Sequence, residues 1–255
     1  MDNQPVNVNP FRKYGALHNK GLTSLVDKLS GKSRDGLSLD LIIETVCDYL
    51  AVVTGQTTEA DKAISYSMIA DILSKTNKGD LGEKLRQAEL GKDAIEMITS
   101  LLKFESDNVE EIKARIQQVE NEVFAGEYND KDKNFVLLAL AIADASVDFW
   151  DKELQNADSF WRKLGKKVRR LPWKADVGGA VSAAVDPVSS IVFHVIPGGT
   201  ALTITKIVGS AVVASAFSYI TESGKLDNED EQANLAKEKR EWLKEAAKNA
   251  GNKPL

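Results

Sequence analysis

Residues able to do chemistry are sparse in this sequence, and where they cluster their spacing is incomplete. Gly31-Lys32-Ser33 has the ending of a phosphate-binding loop, in which the lysine reaches the phosphates and the hydroxyl holds magnesium. The opening glycine of that loop would fall at Val26, so the backbone cradle is missing. Asp130, Asp132 and Asn134 have the spacing of a calcium loop start, but the turn glycine would be Phe135 and the closing glutamate Ala141. Neither G-x-S-x-G nor H-E-x-x-H occurs. His18 shares a helical stretch with Tyr14 and reads as a packing residue. His194 lies in an apolar segment and reads as structural, with a pH-switch role if that segment inserts into a membrane. Cys47, beside Ile43, Val46 and Leu50, reads as a small core residue. Carboxylates are plentiful, but spacing singles out no pair. The expectation is a non-enzymatic protein, without cofactor or metal.

The elements that would position these residues follow from charge and hydropathy. The chain has 255 residues, 43% apolar and 28% charged, with a net charge of -5. That is enough for a real core, too apolar for disorder throughout, and one cysteine excludes a disulfide scaffold. The acidic balance argues against nucleic acid as a partner. Met1 to Pro10 is polar and lacks the apolar run of a secretory signal. The expected location is cytoplasmic or membrane-associated, with signal-independent export open.

Charge divides the sequence into four parts. Residues 1–158 hold 18 Lys+Arg against 28 Asp+Glu, an acidic body of net -10. Residues 159–174 carry Arg162, Lys163, Lys166, Lys167, Arg169, Arg170 and Lys174 with no acid. Residues 175–221 hold only Asp176, Asp186 and Lys206, and residues 222–255 are dense in both signs.

Apolar residues recur at three and four, so the body is helical. Asn9-Pro10 opens a helix with Phe11, Tyr14, Leu17, Leu22, Leu25 and Leu29 inward, stopping at Gly31. Ser38 caps a second, which Gly55 ends. Thr58 starts a third, and Gly79, Gly82 and Gly91 break the next stretch. A helix follows from Lys92 to Phe104. Asp107 with Glu110 reads as a capping box for one that Gly126 closes. Asp130 or Asp132 opens a long apolar helix through Trp150 and Leu154. A charged helix over 227–249 is expected last.

Val177 to Ile220 is almost uncharged, and Pro197-Gly198-Gly199 divides it into two arms, an apolar helical hairpin hinged at Pro197, Gly198 and Gly199. The first arm is interrupted by Asp186-Pro187. The second, Thr200 to Ile220, could cross a hydrocarbon layer of about 30 Å. Gly179 with Ala183, Ala180 with Ala184, and Ser210, Ala214 and Ser218 form small-residue stripes that allow close helix approach. Trp161, Lys166, Lys167, Arg169, Arg170, Trp173 and Lys174 just before them have the make-up of an anionic-lipid anchor. A Gly/Ala-rich hairpin suits the permanent core of a soluble protein equally well.

Three stretches resemble uncharacterised helical proteins of Bacteroidota. They are Asn9-Pro10-Phe11 with Gly15, His18-Asn19 and Gly21-Leu22; Ala145-Ser146 with Phe149-Trp150; and Trp173-Lys174-Ala175-Asp176 with Gly178, Gly179 and Ala180. The resemblance implies that the apolar segment is a family feature and says nothing about catalysis. The combined expectation is an all-α, multi-helix bundle with a Gly/Ala-rich apolar hairpin near the C-terminus. Its function is membrane-active or membrane-associating, bacteriocin-like or pore-forming in the sharpest form, with an anionic membrane, a protein partner or a second copy as partner. The alternative is a soluble helical interaction or structural protein.

Overall fold

The structure, a computed structural model, describes residues 8–30, 32, 37–76, 81–164, 171–185 and 200–225. Among these there are ten α-helices and no strand. They are α1 (Arg12–Leu29), α2 (Leu39–Thr54), α3 (Glu59–Thr76), α4 (Leu81–Gln87), α5 (Lys92–Lys103), α6 (Val109–Ala125), α7 (Asp130–Gln155), α8 (Phe160–Leu164), α9 (Trp173–Ala184) and α10 (Ala201–Lys225). The all-α expectation holds. The helix expected over 227–249 and the turn at Pro197, Gly198 and Gly199 lie outside the described residues.

Local chemistry sets most helix ends. Ser38 Oγ accepts from Leu41 N at 3.1 Å, and Gly55 ends α2 at φ 75°, a left-handed conformation that only glycine adopts without strain. Thr58 and Asp61 cap α3 reciprocally. Elsewhere an asparagine displaces the expected cap. Asn108, not Asp107, accepts from Glu110 N and Glu111 N to open α6. Asn129 accepts from Asp132 N and donates to its carboxylate to open α7. Asn9 does not cap α1, which begins only at Arg12. Its oxygen instead accepts from Phe11 N, and its amide donates to Glu120 Oε1 and Leu137 O at 2.9 and 2.8 Å. That side chain ties the chain start to α6 and α7.

Helices α9 and α10 pack on each other, and α10 also packs against α1, α2 and α3. Helix α7 lies against α1, α9 and α6. Close approach depends on glycine at two places. A Cβ on Gly15 would come within 2.7 Å of Ala145 Cβ and collide with the Ala141 carbonyl. A Cβ on Gly179 would lie 2.6 Å from Ser210 O and 2.8 Å from Ala214 Cβ. Gly179, Ser210 and Ala214 of the stripes read from the sequence thus meet in the α9–α10 seam. Over Thr203–Ile220, α10 is long and apolar enough to cross a membrane, and 83% of that stretch is buried.

Adjacent glycines give a sharp test of the seam. Gly178 has nothing within 4 Å of a built Cβ. Gly178→Ala should therefore stabilise the protein by roughly 0.5–1 kcal/mol through helix propensity. Gly179→Ala should destabilise it by about 1–3 kcal/mol through overpacking. Urea denaturation of both variants checks the pair, and equal effects would contradict this seam.

Candidate functional site

Four helices bring polar side chains to one closed point. His18 comes from α1, Ser146 and Trp150 from α7, Asp176 from α9 and Ser215 from α10, and His18, Ser146, Asp176 and Ser215 are all 0% exposed. Asp176 Oδ2 accepts from the Ser146 hydroxyl and from Trp150 Nε1, the latter at 3.2 Å. The same indole N–H also reaches Ser215 Oγ at 3.0 Å. His18 Nε2 stands 3.5 Å from Asp176 Oδ2.

The protonation pattern follows from the neighbours. Asn19 donates its amide to Ala145 O at 2.7 Å, which turns its oxygen toward His18 Nδ1 at 3.0 Å. Nδ1 therefore carries a proton. Nε2 lies 3.5 Å from the carboxylate without forming a hydrogen bond to it. Ser146 bonds to the carboxylate and not to the imidazole, so the cluster lacks the hydroxyl–base contact of a nucleophilic site. It is a buried polar knot joining helices.

An aromatic cage adjoins the knot. Trp150 stacks on Tyr219 with centroids 4.9 Å apart and meets Trp161 edge-on at 5.1 Å. Tyr219 donates its phenol to Trp161 O at 2.8 Å. Burial pushes the Tyr219 phenol up to about 12, with Arg162 pulling the other way, so it stays a neutral donor across the physiological range. Several polar atoms nearby have no partner: Asp176 Oδ1, His18 Nε2, Trp161 Nε1, Ser182 Oγ, Thr205 Oγ1 and Ser210 Oγ. Five of the six lie on the knot or on α9 and α10, where each weakens the packing relative to an apolar side chain.

Three of the expected lipid-contact residues, Trp161, Trp173 and Lys174, lie within the described residues. Trp161 is fully buried and Trp173 is 2% exposed, so both are core residues in this structure. Lys174 pairs with Glu105 at 2.8 Å and lies over the Trp173 ring. Lys166, Lys167, Arg169, Arg170, the turn residues Pro197, Gly198 and Gly199, and His194 lie outside the described residues. Cys47, the single cysteine, is buried in the core. Asp132, from the incomplete calcium pattern, accepts from Gly91 N at 3.0 Å and Asn129 Nδ2 at 2.7 Å, linking the starts of α5 and α7. Among the described residues no group of three or more His, Cys, Asp or Glu is placed to hold a metal ion.

The knot itself was missed by spacing arguments, because His18 and Asp176 are far apart in sequence. Its members come from four helices, and only the packing of α1, α7, α9 and α10 brings them together. No protein-family model matches the chain, and no curated protein or solved structure is significantly similar to it.

Removing either side chain takes polar contacts away from groups that stay buried. His18→Ala and Asp176→Ala should each destabilise the protein by about 1–3 kcal/mol. The double variant should cost less than the sum, by about 0.5–3 kcal/mol. Chemical denaturation of the four-protein cycle measures this, and strict additivity would show that the two groups do not interact.

Proposed function

We propose that this is a non-enzymatic, membrane-associating protein that keeps an apolar helical hairpin, about residues 175–221, inside an acidic helical body. Bacteriocin-like or pore-forming action is the sharpest form of the reading. The observation that carries it is α10, a helix with a spanning-length apolar stretch enclosed by α1, α2, α3 and α9. Two further features support a hairpin able to leave. The α9–α10 seam is built from small residues that would let the two helices stay paired in lipid. The partnerless hydroxyls of Ser182, Thr205 and Ser210 lower the cost of separating the pair from its surroundings. The target is an anionic membrane, drawn by Lys166, Lys167, Arg169 and Arg170 at about 1 kcal/mol per residue near the surface.

A second reading, a soluble interaction or structural protein with the hairpin as permanent core, is favoured by one specific observation. The Asp176–His18 knot anchors α9 to α1 and α7 through a buried ionisable pair.

A reversible cross-link separates the two. A Cβ on Gly21 of α1 would lie 2.8 Å from Val212 Cγ2 of α10, close to the reach of a disulfide. In a Cys47→Ser background, Gly21→Cys with Val212→Cys should lock α10 to the body. Dye leakage from vesicles rich in phosphatidylglycerol should stop with the bridge closed and return on reduction. Equal leakage in both states would overturn the insertion reading. No leakage in either, nor from the unmodified protein, would favour the permanent core.

A further inference from the structure

Helix α5 buries one apolar side completely, and a second row of residues beside it packs on the edge of the core while staying partly open. Ala94, Ile98 and Leu101 are buried. Ile95, Thr99 and Leu102, at the i, i+4, i+7 spacing of a second stripe, are half-buried instead. They line a groove of about 950 Å³ between α4 and α5, opposite Leu81 and Leu90. That volume lies within the range of sites for small organic ligands. Ile95 and Leu102 thus touch the core on one side and present apolar surface to the groove on the other.

The groove's charge is opposite to that of the body around it. Lys92 and Lys103 mark its two ends, eleven residues apart on α5, which is roughly 16 Å at the helical rise. Arg86 stands on the α4 side. Two of these three cations are already engaged. Arg86 bonds Glu83 at 2.9 Å, and Lys92 lies 3.5 Å from Glu96. Lys103 is exposed and has no acidic partner among the described residues. An apolar trough about as long as an extended decyl or dodecyl chain thus ends at an uncommitted ammonium, on a body that is acidic overall.

We infer that the α4–α5 groove binds a monomeric medium-chain fatty acid, its chain along Leu81, Leu90, Ile95 and Leu102 and its carboxylate at Lys103. This site is separate from the hairpin and does not depend on the membrane reading. A cationic amphiphile of the same chain would place like charge on Lys103, and a neutral one would leave the ammonium unpaired.

Isothermal titration calorimetry of the full chain with decanoate, below its micelle concentration, tests the assignment. Decyltrimethylammonium serves as the chain-matched control of opposite charge. The expected result is saturable one-to-one binding of decanoate, with the control at least tenfold weaker. Lys103→Glu should weaken decanoate about tenfold and narrow the difference between the two ligands. Lys103→Gln should give an intermediate loss. Both substitutions are at an exposed side chain, and unchanged thermal melting would show that the fold is kept. Leu102→Gln should weaken both ligands alike, because it alters the chain's path and not the charge. Absence of saturable decanoate binding, equal affinity for both ligands, or an affinity unmoved by Lys103→Glu would overturn the inference.

Discussion

The arrangement of this protein depends on where one carboxylate goes. Asp176 has no exposure and sits on a helix whose other buried residues are almost all small or apolar. Left alone there, its charge would be prohibitively costly. The fold meets that constraint by bringing three other helices to it: His18 from α1, Ser146 and Trp150 from α7, and Ser215 through the shared indole of Trp150 from α10. Non-directional apolar packing would tolerate many relative positions of these helices. A buried carboxylate with named donors tolerates very few, so the knot fixes register where the seam residues alone would not.

The rest of the core is organised around that point. Gly15 lets α1 lie against Ala141 and Ala145 of α7, which places His18-Asn19 beside Ala145 and Ser146. Gly179 lets α9 lie against Ser210 and Ala214 of α10, which brings Ser215 and Tyr219 to the same aromatic cage. The knot contributes specificity more than strength. Asp176 Oδ1 and three hydroxyls along α9 and α10 remain without partners. The helix pair is thus held in one place by a few directional contacts, within a seam that is less favourable than an apolar one.

Where the cause was local, the sequence predicted the structure well. Ser38, Gly55, Thr58 and Gly126 bound helices as expected, because a cap acts within a few residues of itself. Asp107 lost to Asn108, and Asp130 and Asp132 lost to Asn129, because neighbouring polar residues compete for one capping position and sequence alone does not rank them. Trp161 and Trp173 were read as interfacial because tryptophan beside lysine and arginine fits a membrane surface. Tryptophan fits an aromatic core equally, and Trp150 and Tyr219 supply one that sequence order hides. Asp176 reads in sequence as a lone acid in an apolar arm, because its partners lie on other helices and no local spacing links them.

Hydrogen exchange, followed by mass spectrometry on the native protein and on Asp176→Asn, tests the central claim most directly. If the Asp176 carboxylate holds α1 and α7 onto the α9–α10 pair, the variant should lose protection over 173–184 and 201–220, together with the facing turns at 14–22 and 141–150. Protection over α5 and α6, which lie away from the knot, should remain. A uniform loss across every helix, or unchanged protection of α9 and α10, would contradict the account.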